Sequence, residues 1–412
     1  MARLGISILL LLLPLVAQAQ PLTGLDRLSR EPGLLPAGSV VAIVTNHTGR
    51  TAQGKSTFEV VRSLPGVTVA ALFAPEHGLT GTYDQHIGDT RLAGIPVYSL
   101  YGRRCIPTAA MLAGVTTIVF DIQDAGVRYY TYLGTLHAML KAAKDYHLRL
   151  LVLNRPNPLG GSLMDGAIPD PESIAARLHR DTSGCKTLTV THPIPTRHGM
   201  TLGELARMIN QEAAIHADLQ VIRMTGWKRN QYWQELGLSW VPPSPNLKDP
   251  LGALLYSSFG PLEATNLSVG RGTDLPFHVY GAPWLDSEAV VKKLPILPGI
   301  QFSVTTFIPT APGHPYAGQH CNGIRISCAQ GVSTQSLSIA ALSLVQAIYQ
   351  THPMRYHADA GFHGMIGDPR LWKRLTTAGT SPATLVSEWK AGLDSFAIRR
   401  RQFLLYPEFE KD

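Results

Sequence analysis

Glu76, in the string Pro75-Glu76-His77-Gly78, directly follows an apolar β-branched run. A carboxylate there can carry a proton to or from a substrate, and His77 can orient it or relay that proton. Three further runs of the same kind end in polar clusters: Asn46-His47-Thr48-Gly49, Asp121-Ile122-Gln123-Asp124 with Arg128-Tyr129-Tyr130 close behind, and Asn154-Arg155-Pro156-Asn157-Pro158. Two carboxyl groups can act as acid and base, or acid and nucleophile, across a glycosidic bond, while Tyr and Trp offer ring faces to sugar C–H groups. Asp121 and Glu263 are the candidates to partner Glu76, and Asp124 to anchor hydroxyls. Arg128, Arg155 and Arg271 carry planar forks that match a carboxylate bidentately.

Each candidate also has a plainer role. Glu76 can cap loop amides, Asp124 can cap the turn leading to Tyr130, Glu263 can form a structural ion pair with Arg271, and His77 and His198 can hydrogen-bond backbone carbonyls. Tyr130, Tyr132, Trp240 and Trp284 can pack in the core instead of stacking on sugar. Glu59 and Glu204 stand three residues after Ser56 and Thr201, and these capping boxes already explain them.

Several function classes are excluded by what is missing. No GxGxxG follows the first strand, and no P-loop, GxSxG elbow or HExxH helix is present, so neither cofactor nor metal is expected. The formal charge of +7 comes from 36 basic and 29 acidic residues, scattered apart from the run Arg399 to Arg401. That distribution argues against nucleic acid and is mildly suited to an anionic substrate.

These residues need elements to hold them. Ser39 to Thr45, Val67 to Ala74, Pro96 to Leu100, Thr116 to Asp121 and Arg149 to Leu153 read as strands. Helices are expected over Ser56 to Leu64, Ala109 to Ala113, Thr131 to Tyr146 and Thr201 to Ala213. Continuous apolar strands alternating with helices predict an α/β fold with a parallel sheet covered on both faces, whose ligands bind beyond the strands' carboxyl ends. The proline-dense string Trp240 to Pro250 marks a domain boundary, giving a domain over 20–250 and a smaller α+β domain over 251–412. The second contains strands at Phe302 to Phe307 and Gly323 to Ser327, a helix over Thr334 to Tyr349, and another starting at Ser381-Pro382 with Leu385, Trp389 and Phe396 along one side.

Residues 1–19 form a separate unit. Arg3, an apolar stretch from Leu4 to Val16, and Ala17-Gln18-Ala19 make an export signal with its cleavage site, too short for a stable membrane anchor. The mature chain is therefore expected outside the cytoplasm, where disulfides form. Cys321 and Cys328 lie at the ends of one predicted strand, roughly 23 Å apart at about 3.3 Å per residue, and cannot bridge. Cys105 and Cys185 are expected as buried free thiols, with a bridge between them the open alternative.

The strings LFAPEHGL (Leu72 to Leu79), IPVYSLYG (Ile95 to Gly102), FDIQDAGVRYYTYLGTL (Phe120 to Leu136), NRPNPLGG (Asn154 to Gly161), RHGMTLGELA (Arg197 to Ala206), VPPSPN (Val241 to Asn246) and EATNLSVGRGTDLPF (Glu263 to Phe277) resemble the bacterial DUF1343 family. The resemblance runs from about Gly33 to near the C-terminus. It implies an exo-β-N-acetylmuramidase of the NamZ type, releasing N-acetylmuramic acid from the non-reducing ends of peptidoglycan fragments in a cleft between a Rossmann-like domain and a smaller one. By position, it implies that Glu76 is the leading catalytic residue, and that Asp121, Gln123, Asp124, Arg128, Tyr130, Tyr132, Arg155 and Asn157 belong to the first-domain crevice; the strand ends add Asn46 and Asn154 as candidate binding residues, and His198, like His77, can shuttle a proton or orient Glu76. Asn266, Arg271 and Asp274 match the second-domain signature. The family often has Asp in place of Asn154 and Glu in place of Val269. A non-catalytic muropeptide-binding protein and a glycosidase for another N-acetylhexosaminide are the alternatives.

Overall fold

The computed structural model describes residues 20–81, 88–180, 185, 188–189, 191–329 and 331–408; the expected export signal, residues 1–19, lies outside them. Seven strands build the large sheet: β1 (Val40–Thr45), β2 (Thr68–Ala74), β3 (Thr90–Leu92), β4 (Ile95–Ser99), β5 (Thr117–Asp121), β6 (Arg149–Leu153) and β7 (Asp218–Ile222). Their order is β3-β4-β2-β1-β5-β6-β7, parallel throughout except for the antiparallel β3–β4 edge. The apolar runs sit at its centre because helices cover both faces: Val41 to Val44 of β1 and Ile118 to Phe120 of β5 are fully or almost fully buried. Parallel pairing brings the polar ends of β1 and β5 level, with Thr45 opposite Asp121.

Both capping boxes form. Ser56 accepts from the Glu59 amide ahead of the helix Thr57–Arg62, and Thr201 from the Glu204 amide ahead of Leu202–Glu212. The segment 241–249 has no regular structure, and Asp249 then caps the helix Pro250–Phe259, which has proline at its first position.

A smaller antiparallel sheet pairs β8 (Val279–Ala282), β9 (Ile300–Phe307) and β10 (Cys321–Cys328) in the order β8-β10-β9, packed against the helix Thr334–Thr351. The helix expected from Ser381 onward is divided into Pro382–Glu388 and Lys390–Arg400. At Trp389 the amide bonds to Val386 O, so the ladder tightens by one residue and the axis is interrupted.

The chain end returns to the large sheet. Tyr406 Oη accepts from the Met224 amide (2.8 Å) and from Asn154 Nδ2 (2.7 Å). Arg128, completely buried, ties the two halves together by donating to the carbonyls of Ala167, Ile194, Met365 and Ile366. Burial lowers its pKa to about 10, which leaves it cationic at neutral pH.

The cysteine expectation is corrected at one pair. Cys105 and Cys185 form a disulfide with a Cα–Cα distance of 5.2 Å, although 80 positions apart in sequence. Cys321 and Cys328 are free, at opposite ends of β10.

Candidate active site

Glu76 leaves the end of β2 on a turn that few sequences tolerate. His77 (φ 69°) and Gly78 (φ 70°) are both left-handed, and the Gly78 amide closes the turn on Pro75 O at 3.0 Å. Glycine enters that region freely, whereas a histidine there is strained and must be held by its surroundings. The turn brings the Glu76 carboxylate to Thr131, whose Oγ1 donates to Oε2 at 2.5 Å. Thr131 is the first residue of the helix Thr131–Asp145, so Glu76 lies at that helix's positive end.

Glu76 and His77 line a cavity of about 320 Å³ that residues from both halves enclose. Glu263 lines the same cavity, held by Arg271 Nη2 at 2.6 Å and by the Tyr256 hydroxyl at 3.3 Å. The Arg271 guanidinium lies over the Phe277 ring, 5.4 Å from its centroid. Tyr130 and Tyr256 are T-shaped neighbours on the wall. Burial above all, with nearby Tyr132 and Glu76 adding to it, pushes the Tyr130 phenol well up, and burial with Glu263 does the same to Tyr256. Both therefore remain protonated donors.

Of the residues singled out from sequence, Glu76, His77, Tyr130, Glu263 and Arg271 are brought together here. The others do not line this cavity. Asp121, completely buried, pairs with Arg155 (Nη2 to Oδ2 2.8 Å) and accepts from Thr57 Oγ1 at 2.5 Å, so the two charges neutralise each other at the sheet edge. Arg128 is consumed by the four carbonyls named above. Asn46 donates to Tyr132 Oη, which donates in turn to Pro243 O, both at 2.8 Å, and these two fix the 241–246 strap. Gln123 donates to the carbonyls of Asp124 and Pro156. Asp124 caps the Gly126 amide at 2.8 Å and stands 3.7 Å from His198 Nε2. Asn157 makes its own turn by accepting from the Leu159 amide.

Asn154 donates to Thr201 and Tyr406 and accepts from the Gly203 amide, a wholly structural network. Val269, the other departure, is buried in the core, its carbonyl accepting from the Phe277 amide. Asn266 pins the 355–357 loop through Arg355 O and the His357 amide. Asp274 is fully exposed, 3.6 Å from Lys248.

Sequence reasoning missed Tyr101, Thr131, Thr189, Tyr256 and His314, all of which line the cavity. His314 had one available signal: the Gly- and Pro-rich string Pro309 to Gly318 between two strands is long enough to be a functional loop. Among the described residues, no three His, Cys, Asp or Glu side chains converge as a metal site requires.

The family model described as Exo-beta-N-acetylmuramidase NamZ, N-terminal, matches residues 41–251, and its C-terminal counterpart matches 254–406. The chain belongs to the NamZ family. Peptidoglycan beta-N-acetylmuramidase NamZ of Bacillus subtilis (strain 168) is 33% identical over 394 residues, spanning 93% of this chain and 91% of that protein. Two crystal structures of DUF1343 family proteins from Bacteroides fragilis NCTC 9343 share the NamZ-family fold, with TM-scores of 0.81 and 0.72. Each is 28% identical and covers 94% of this chain and 99% of its own.

Proposed function

We propose that Glu76 transfers the proton at the glycosidic oxygen of a non-reducing-terminal N-acetylmuramic acid, in a peptidoglycan fragment bound between the two halves. The protein is a glycoside hydrolase, a β-N-acetylmuramidase acting on a peptidoglycan-derived saccharide. The observation that carries the site assignment is that Glu76 and Glu263, 187 positions apart by their numbering (263 − 76), line one sugar-sized cavity.

The two carboxylates are held differently, and that divides the work. Among the described residues Glu76 has one short hydroxyl donor, Thr131, and it lines the cavity, as a group exchanging a proton with substrate should. Glu263 is fixed by a guanidinium and a phenol, an arrangement that keeps a negative charge beside the oxocarbenium-like centre of the transition state. Arg271 supplies the nearest cation for the lactyl carboxylate of the sugar. The protonated Tyr130 and Tyr256 phenols offer hydrogen bonds to ring substituents.

Export is part of the same proposal. The leader pattern of residues 1–19 supports it, and so does the Cys105–Cys185 disulfide, because such bonds persist in oxidising compartments. Action on turnover fragments of the cell wall belongs to the same proposal. The test is a panel of chromogenic aryl glycosides. Release from the N-acetylmuramide with little from the N-acetylglucosaminide is expected. Binding without release would favour a non-catalytic muropeptide receptor, and preference for another hexosaminide would reassign the substrate.

A further inference from the structure

A second cavity, of about 270 Å³, opens beyond the same sheet edge and shares no residue with the Glu76 cavity. It is lined by Thr48 and Arg50 after β1, Gln123 after β5, Arg155 after β6, and Trp233 and Val241. The proline strap separates the two: Val241 faces the second cavity and Ser244 the first. Between them, Pro242 O accepts from His47 Nε2 at 2.7 Å and Pro243 O from Tyr132 Oη at 2.8 Å. The position is the topological switch point of the sheet, where β2 and β5 leave β1 on opposite sides and their loops diverge to form a crevice.

Two residues of this lining each carry a buried polar atom with no hydrogen-bond partner among the described residues, Gln123 Oε1 and Trp233 Nε1. The amide of Gln123 is not interchangeable, because its Nε2 donates to two carbonyls, Asp124 O (3.0 Å) and Pro156 O (2.8 Å), and a flipped amide would set oxygen against oxygen. One lone acceptor and one lone indole donor are what a hydroxylated ligand would satisfy, and buried polar groups left without partners are costly. The charged liners are both arginines, and no Asp or Glu is among the lining residues. Arg155 is matched by Asp121, while Arg50 is held by carbonyl oxygens, His47 O at 2.9 Å and Gly54 O at 3.1 Å.

We propose that this cavity is a second ligand site, for a small anionic saccharide that carries hydroxyls and one carboxylate. The sugar acid released by the reaction belongs to that class, and its choice as probe rests on the function proposed above. The test is calorimetric titration of Glu76→Gln protein with N-acetylmuramic acid and with N-acetylglucosamine, which lacks the carboxylate. Two classes of site are expected for the acid. In the same background, Arg50→Ala should weaken one class about tenfold or more, the loss of one charge-assisted contact. Trp233→Phe, which keeps a ring and removes only the N–H, should weaken the same class. In the parent background neither substitution should change hydrolysis of the chromogenic N-acetylmuramide. A single class of site untouched by both substitutions, equal affinity for the two sugars, or loss of hydrolysis together with binding would each overturn the proposal. Should the parent protein hydrolyse no muramide, the functional reading fails, while the titration still reports on this cavity.

Discussion

At the scale of single residues, the site depends on where two carboxylates point. The left-handed His77–Gly78 turn aims Glu76 at Thr131, and Arg271 fixes Glu263 in the same cavity. If Arg271 meets the lactyl carboxylate, Arg271→Ala should raise the competitive inhibition constant of N-acetylmuramic acid by about tenfold or more. An unchanged constant would assign that carboxylate to another partner. Glu76 was legible because it stands directly after a strongly apolar strand. The strand-end position of Asp121, Gln123 and Arg155 was equally legible, but not the side of the 241–246 strap each would face. That depends on Asn46, His47 and Tyr132 holding the strap across the sheet edge, contacts that join residues up to 195 positions apart.

At the scale of elements, the central strands were readable because burial on both faces demands an uninterrupted apolar run. The β3 edge is three exposed residues, β7 is the half-exposed strand at the other edge with only Ile222 buried, and β8 is four residues long, so neither alternation nor a long apolar run announced them. The Cys105–Cys185 bridge has an elemental role of its own. Tyr101 lies four positions before Cys105 and Thr189 four after Cys185, and both line the Glu76 cavity, so the bond links two of its walls. Cys105→Ser with Cys185→Ser is expected to lower unfolding free energy by about 2–4 kcal/mol and to raise KM more than it lowers kcat. Denaturant titration and steady-state kinetics check this, and an unaltered KM would confine the bond to stability.

At the scale of the whole molecule, Arg128 and the returning chain end around Tyr406 bind the two halves that enclose the cavity, so global stability and site geometry are linked. Burial lowers the pKa of His137 to about 4 and also lowers that of His47. For His137 the unfolded chain therefore takes up more protons than the native one between about pH 6.5 and 4, which subtracts up to about 1.4 kcal/mol per pH unit as pH falls through that window, and His47 acts in the same sense. Buried Asp165, whose pKa is raised, works in the opposite sense. His137→Asn should flatten the acid limb of the stability profile measured by urea denaturation; an unaltered slope would remove His137 from that account. In the function proposed above, these larger features present one acidic side chain, Glu76, to a sugar. The most direct test is kcat/KM of Glu76→Gln on a chromogenic N-acetylmuramide, alongside its melting temperature. A fall of at least about 100-fold with an unchanged melting temperature is the expected result. Near-parental turnover by that variant would contradict the assignment of Glu76 and, with it, the mechanism.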